Sequence, residues 1–344
     1  MRVVAVLAWV ALAVTPLSGC FEPANNAWAA EATQIDRLRD DGLTGRSIRV
    51  AILDTGIDLD HPSLRHLTDR DAINGELIGY ADFLGQSGGP RDRAGHGTFV
   101  AGVLAAQPPD GLASVTASES GVRGLAPEVD LLVGRVCETD HCDLGAVWQG
   151  IAWAIAQDVD IISLSLGYTQ SALDGEDYLA GRLRQSLREA DVKGILVVAA
   201  AGNEPGGVLF PAREASVLAV AAMDRDGQPR GSSARGYGSD KPDLVAPGQG
   251  IVGPAKGTGR VSKDGTSAAV PFVVAAAALM MAGVEDPDTV PEVAALRQAL
   301  RDTAQPLPGQ KTPQDPWAGR GLVQAESAAT RYALALRELD PDDR

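Results

Sequence analysis

Aromatic side chains are scarce in this sequence: five Phe, five Tyr and five Trp amount to 4% of 344 residues. A core with so few large rings must be filled by Ala, Val, Leu and Ile packed closely around the 39 glycines. That composition suits helices layered on a parallel sheet. Cationic side chains are outnumbered too, 30 Lys and Arg against 45 Asp and Glu, for a net charge of -15. Binding to a nucleic-acid backbone is driven by cations that neutralise phosphates, so no nucleic-acid partner is expected. The surplus of acid reads as a solubility feature. The apolar run at residues 3–14 is shorter than the roughly 20 residues that span a bilayer. Length leaves domain count open, because single-core α/β enzymes commonly run past about 250 residues.

The short run is nevertheless part of a unit: Arg2, the apolar stretch, Pro16, and then Leu17-Ser18-Gly19-Cys20. It resembles a bacterial lipoprotein signal in which the last four residues are the lipobox. The resemblance implies cleavage that leaves Cys20 as a lipid-modified N-terminus. Each buried methylene of such a lipid contributes about 0.8 kcal/mol, and several chains hold where one is marginal. An ordinary secretory signal with an incidental cysteine is the plainer alternative. Phe21 stands where an Asp commonly retains lipoproteins at the inner membrane, so a periplasm-facing outer-membrane position is expected for a Gram-negative source. Cys137 and Cys142 remain. Export implies an oxidising compartment, so a small disulfide loop is expected between them. Closing so short a loop stabilises by only about 2 kcal/mol, which points to stiffening one loop. A metal site adding His141 is the alternative, but the tight spacing does not easily wrap a tetrahedral ion.

Residues 21–46 are polar and Ala-rich with little periodicity, and read as a tether and approach segment too short for a folded pro-domain. Beyond them apolar runs at 48–53, 131–136, 159–164, 195–200 and 217–222 predict buried strands. Helical patterns lie between and after them, at 97–106, 144–157, 178–193 and 267–283, with Pro291 opening another to about 303. Strand and helix in alternation give an α/β fold: a mostly parallel central sheet covered by helices on both faces, with ligands at the carboxyl ends of the strands. Residues 108–121, rich in Ser, Ala and Gly, read as a surface loop inserted after a helix.

Three residues stand where such a fold puts chemistry. Asp54 ends an apolar strand and is followed by Thr55-Gly56-Ile57-Asp58. His96, in Gly95-His96-Gly97-Thr98, opens a helix whose Gly97, Ala101 and Ala105 make one smooth face. Ser267, in Gly265-Thr266-Ser267-Ala268-Ala269, opens a long apolar helix. Singly, these read as a turn residue, a structural histidine and a helix cap. Together they follow the order Asp, His, Ser of the subtilisins, which differs from that of the chymotrypsins and α/β-hydrolases.

The chain resembles the subtilase serine peptidases from about residue 34 to 329. Four blocks carry the match: Ala51-Ile52-Leu53-Asp54-Thr55-Gly56-Ile57-Asp58, residues 95–102, Ala200-Ala201-Gly202-Asn203, and Gly265-Thr266-Ser267. Supporting matches are Ser163-Leu164-Ser165-Leu166-Gly167, residues 241–248, and Gly321-Leu322-Val323. The resemblance implies a subtilisin-like three-layer fold. It implies Ser267 as nucleophile, His96 as general base and then acid, and Asp54 fixing the histidine tautomer. Asn203 and the Ser267 N–H would receive the oxyanion. Extended polypeptides are the expected substrates, with Ser165, Leu166 and Gly167 as one wall of the S1 pocket and Ala200 and Gly202 in the other. Leu209 would narrow the floor of that pocket, and Pro211 would be a cis proline as in relatives. The implied division is a signal at 1–19, lipidated N-terminus and tether at 20–46, peptidase domain at 47–339 and acidic tail at 340–344.

Some positions depart from the family. Residues 268–272 read Ala-Ala-Val-Pro-Phe where Met, Ala, Ser, Pro and His are usual. Ser63 stands where many relatives carry a calcium-binding Asp, so calcium is a possibility that the usual ligand positions do not support. No other cofactor is expected. The competing readings are a catalytically silent binding lipoprotein, an acid peptidase pairing Ser with Glu and Asp, and an esterase. Each lacks its signature: no triad member is missing, His96 and Asn203 belong to the neutral-pH set, and no Gly-x-Ser-x-Gly surrounds Ser267.

Overall fold

The computed structural model describes residues 25–67, 72–73, 76–77, 79–85, 89–108, 123–139, 141–284 and 292–339. The lipobox with Cys20, nearly all of the 108–121 loop, Pro291 and the tail at 340–344 lie outside the described residues. Seven parallel strands form the central sheet, in the order β4-β5-β1-β6-β7-β8-β9. They are β1 Arg49–Asp54, β4 Tyr80–Asp82, β5 Asp130–Arg135, β6 Ile161–Leu164, β7 Leu196–Ala200, β8 Val217–Met223 and β9 Leu244–Pro247. Two short strands, β2 Ala72–Ile73 and β3 Glu76–Leu77, pair separately. In β6, β7, β8 and β9 every residue is buried, which is why they read as continuous apolar runs and not as alternation.

The polypeptide reverses direction across the sheet at β1, which pairs with β5 on one side and β6 on the other. A crevice opens at the carboxyl ends of strands at such a switch point, and Asp54 is the last residue of β1. Two helices pack together on the sheet, α4 Leu144–Ala156 and α6 Asp177–Val192, with the short α5 Gln170–Leu173 between them in sequence. A second pair is formed by α3 His96–Ala105 and α7 Thr266–Ala282. Helix α7 runs against β6, β7, β8 and β9 and is buried on all sides from Ala268 to Met281, as expected of a helix that is apolar all round.

Three features differ from the sequence reading. Within the stretch expected as a tether, Ala27–Ala32 forms α1 and Ile35–Asp40 forms α2, with Ala29 and Ile35 fully buried. Both helices are held by the far end of the chain. Helix α9, Ala325–Leu339, was not anticipated. It packs on α2, on α7 and on α8, Val293–Asp302. Thr33 O accepts from Ala325 N–H at 2.8 Å, and Ala32 O accepts from Gln324 Nε2 at 2.8 Å. Asn26 completes this anchor, donating to Val252 O at 2.7 Å and accepting from Val252 N–H at 2.8 Å. Val252 lies in the third unexpected feature, a hairpin of β10 Ile251–Pro254 and β11 Arg260–Lys263 that leads into α7.

Candidate active site

His96 begins α3, and its Nδ1 lies 2.7 Å from Asp54 Oδ1 at the end of β1. The same carboxylate oxygen accepts the Thr55 N–H at 2.7 Å. An ionised carboxylate only accepts, so the shared proton sits on Nδ1, and in the neutral ring Nε2 is the basic nitrogen. Asp54 is 2% exposed while His96 keeps 28% of its side chain open to solvent. The Asp54 charge pulls the His96 pKa above its ordinary value, more strongly than burial pushes it down.

The turn ahead of α3 is organised by Asp92, a residue that the sequence reading did not single out. Its Oδ1 accepts from the Ala94 and Gly95 N–H groups at 3.0 and 2.7 Å and from the Thr55 hydroxyl at 2.8 Å. Its Oδ2 accepts from the Thr98 N–H at 2.8 Å and hydroxyl at 2.7 Å. Asp92 thereby satisfies donors at the start of the helix, where backbone N–H groups lack intrahelical partners. Burial alone would raise its pKa; the donors from Thr98, Gly95 and Thr55 outweigh that and hold it low. Thr55 closes the link, its hydroxyl accepting the Gly97 N–H at 2.8 Å. The histidine and aspartate loops are thus tied through one buried carboxylate. An Asp shortly before the glycine of a helix-opening Gly-His is the only signal that pointed to it.

Ser267 lies in the first turn of α7. Pro271, four residues on, cannot donate to the Ser267 carbonyl, and that carbonyl accepts instead from Ser165 Oγ at 3.2 Å. In return Ser267 Oγ donates to Ser165 O at 3.0 Å. The hydroxyl makes no hydrogen bond to His96 in this arrangement. Asp54, His96, Ser267, Ser165, Leu166 and Gly167 all line one cleft of about 500 Å³. Asn203 is not among the residues that line this cleft and lies against the start of α7. Its Oδ1 accepts from the Thr266 N–H at 2.8 Å and the Thr266 hydroxyl at 3.0 Å. Because the Thr266 N–H can only donate, the amide orientation is fixed and Nδ2 faces away from Thr266. The Ser267 N–H has no partner among the described residues, so two donors remain free beside the serine. Gly265, at φ 122°, permits this approach: a Cβ there would stand 2.8 Å from Asn203 Oδ1.

A family model for the subtilases matches residues 45–321. The chain belongs to the subtilase family. This subtilase is 35% identical over 306 residues to alkaline elastase YaB of Bacillus sp. (strain YaB), covering 88% of this chain and 70% of that protein. It is 36% identical over 255 residues to a thermostable alkaline protease of Halalkalibacterium halodurans, of which it spans 62%. Subtilisin Savinase of Lederbergia lenta is 33% identical over 306 residues, covering 88% of this chain and 98% of the relative. Among solved structures, a mutant of the protease domain of PatA is 26% identical with a TM-score of 0.68, covering 85% of this chain and 98% of the other. This kinship makes the protein a subtilisin-like serine protease of the hydrolase class, acting on peptides.

On one side of the subtilase cleft is the loop closed by Cys137 and Cys142, whose sulfurs are bonded at 2.02 Å. Both residues line the cleft together with Thr139, His141 and Leu144. The loop is fastened to the aspartate strand, because the Val136 and Cys137 N–H groups both donate to Asp54 O, at 2.8 and 3.1 Å. Ala200, Gly202 and Leu209, expected as pocket residues, are not among the residues that line this cleft. The Leu209 side chain is wedged between the two candidate walls: its Cβ is 3.0 Å from where a Gly167 Cβ would sit, and its Cγ 2.7 Å from where a Gly202 Cβ would sit. Its N–H donates to Ala201 O at 2.9 Å. The following Phe210–Pro211 bond is cis, as is Lys241–Pro242.

That wedge has a consequence for specificity. If Leu209 floors the S1 pocket, as the resemblance implies, a large P1 side chain would have to compete with it for volume, and overpacking costs about 1 to 3 kcal/mol. Ala, Val or Leu at P1 should exceed Phe and Tyr by roughly 10- to 200-fold in kcat/KM, and Leu209→Gly should reverse the order. A peptide-library profile led by Phe or Tyr in both proteins would show that the side chain does not restrict the pocket.

The calcium position fits poorly. Ser63 is fully buried and its Oγ has no partner among the described residues, but a neutral hydroxyl is a weak calcium ligand. Among the described residues no group of three or more His, Cys, Asp or Glu side chains is arranged to hold a metal. His61 has a structural bond, with Nε2 2.8 Å from Gly259 O.

Proposed function

We propose that this subtilase is a serine endopeptidase working through an acyl-enzyme on Ser267, with Asp54, His96 and Asn203 in supporting roles. The observation that carries the reading is the 2.7 Å contact of His96 Nδ1 with Asp54, which in the neutral imidazole puts the basic lone pair on Nε2 of a ring lining the cleft that Ser267 shares. Rotation about the serine χ1 moves Oγ from Ser165 O toward His96. The imidazole then takes the hydroxyl proton as Oγ attacks the peptide carbonyl, and returns it to the leaving amine. Negative charge on the carbonyl oxygen is met by Asn203 Nδ2, the Ser267 N–H and the positive end of α7. Water deacylates the enzyme by the same route in reverse order. His96 must be neutral to act, so kcat/KM rises with pH through a histidine pKa lying above the ordinary value. Hydrolysis of denatured casein at internal bonds tests the reading; fragments released only from chain ends contradict it.

The same proposal includes export and a lipid anchor at Cys20. Asn26 is already fixed to Val252, so residues 20–25 would be the whole tether, spanning at most about 20 Å when extended. Wild-type protein should sediment with membranes, and Cys20→Ala should appear in the soluble fraction or remain unprocessed. Soluble wild-type protein with a free mature N-terminus overturns the anchor. Among the described residues no helix is long and apolar enough to cross a membrane.

A further inference from the structure

Lys263 closes β11, four residues before Ser267. Exposure alternates along the strand, so Val261 and Lys263 are half-buried while Arg260 and Ser262 face solvent. The Lys263 Nζ lies 5.3 Å from the centre of the Phe99 ring, and Phe99 is a fully buried residue of α3, one turn beyond His96. Among the described residues this ammonium has no carboxylate partner. The neighbouring acids are engaged elsewhere. Asp264 pairs with Arg230 at 3.1 Å and accepts the Gly250 N–H, and Asp58 accepts the N–H groups of Gly257 and Asp60. Asp92 is enclosed by its own donors. A second cation of the hairpin, Lys256 in its tip, packs beside Gly95, and its Nζ donates to Arg93 O at 2.9 Å.

The position of Lys263 relative to the reaction follows from the cleft. Cys137, Thr139, His141, Cys142, Asp143 and Leu144 line this cleft together with residues 165–169, and no described residue of β10 or β11 contributes to it. Lys263 lies outside that cleft, against Phe99 of α3 and four residues ahead of Ser267, and its charge reaches the imidazole, lowering the pKa against the larger pull of Asp54. On the reading above, residues ahead of the scissile bond run along Ser165–Gly167, and the leaving amine takes its proton from His96. A leaving strand that runs away from Ser165–Gly167 would pass the edge where Lys263 lies against α3. We infer that Lys263 binds a carboxylate on the leaving-group side of the scissile bond, selecting an acidic side chain at the first or second position after it, or a free terminal carboxylate.

The inference rests on the endopeptidase reading, so its test includes a readout that needs no turnover. Peptides identical except for Asp, Asn or Lys at the first and second positions after the bond, all with blocked C-termini, are compared with a neutral peptide ending in a free carboxylate. For the wild-type protein Asp should exceed Lys by roughly three- to tenfold in kcat/KM at low salt, with the difference shrinking at high salt. Lys263→Glu should invert the order and Lys263→Met should level it, while the Asn peptide changes little. The free-acid peptide distinguishes a terminal carboxylate from a side chain as the preferred group. Binding of the same peptides to Ser267→Ala protein, with and without Lys263→Glu, should show the same order in Kd. An unchanged order in Lys263→Glu overturns the inference. Charge-dependent binding without cleavage by wild type supports the lysine site and overturns the endopeptidase reading.

Discussion

Ser267→Ala should abolish casein hydrolysis while leaving the circular dichroism spectrum and thermal midpoint close to wild type. The structural cost is small, because the hydroxyl makes one hydrogen bond, to Ser165 O, and a net hydrogen bond contributes about 0.5 to 1.5 kcal/mol. Alanine also has the higher helix propensity in the first turn of α7. The catalytic cost is large, since the other serine that lines the cleft, Ser165, has its Oγ committed to the Ser267 carbonyl. A loss of about 10⁶-fold in kcat is expected, a magnitude adopted from a subtilisin and not calculated for this protein. Equal casein degradation by mutant and wild type would exclude Ser267 as the nucleophile.

The second large effect is expected at Asn203. Thr266 grips its oxygen through two hydrogen bonds and so aims the amide nitrogen; the nitrogen matters most once the carbonyl oxygen carries charge. Asn203→Ala should lower kcat by about 10²- to 10³-fold with KM little changed, again a range taken from a subtilisin. Removing the acceptor also leaves the buried Thr266 N–H without its partner, which costs about 1 to 3 kcal/mol of stability. Asn203→Asp separates the two roles. It keeps an acceptor for Thr266 and should recover stability, yet it places negative charge beside the oxyanion and should be no faster than the alanine variant. A rise in KM at constant kcat would assign Asn203 to substrate binding.

The parts of this fold that were legible in the sequence are those where one physical cause dominates. Strands β1, β5, β6, β7 and β8 are buried on both faces, so each appears as an apolar run, and Asp54 is conspicuous as the charge that ends one. Helices α3, α4, α6 and α7 are long enough to show their pattern, and α7 is apolar throughout because it is enclosed. What was missed depends on distant partners. Helices α1 and α2 have six residues each, too short to form alone, and are held by α9 and by Asn26 on β10. The hairpin of β10 and β11 is rich in glycine and half-exposed. Asp92 and Thr266 were overlooked for a related reason: each acts by orienting another residue, and only the fold reveals which one. Spacing also gave no hint that the Ser267 hydroxyl would rest on Ser165 O.

The cleft makes a direct demand on reactivity. Asp54, His96 and the two free donors should activate one serine out of the whole chain toward a fluorophosphonate, whose phosphoryl oxygen imitates the charged oxygen of the tetrahedral intermediate. Wild-type protein should incorporate one equivalent, on the peptide containing Ser267, with the labelling rate rising with pH as His96 loses its proton. Ser165, though its hydroxyl lies in the same cleft, should stay unlabelled because it is held against the Ser267 carbonyl. Labelling elsewhere, or none on Ser267 in folded protein, would contradict the assignment of Ser267 as an activated nucleophile.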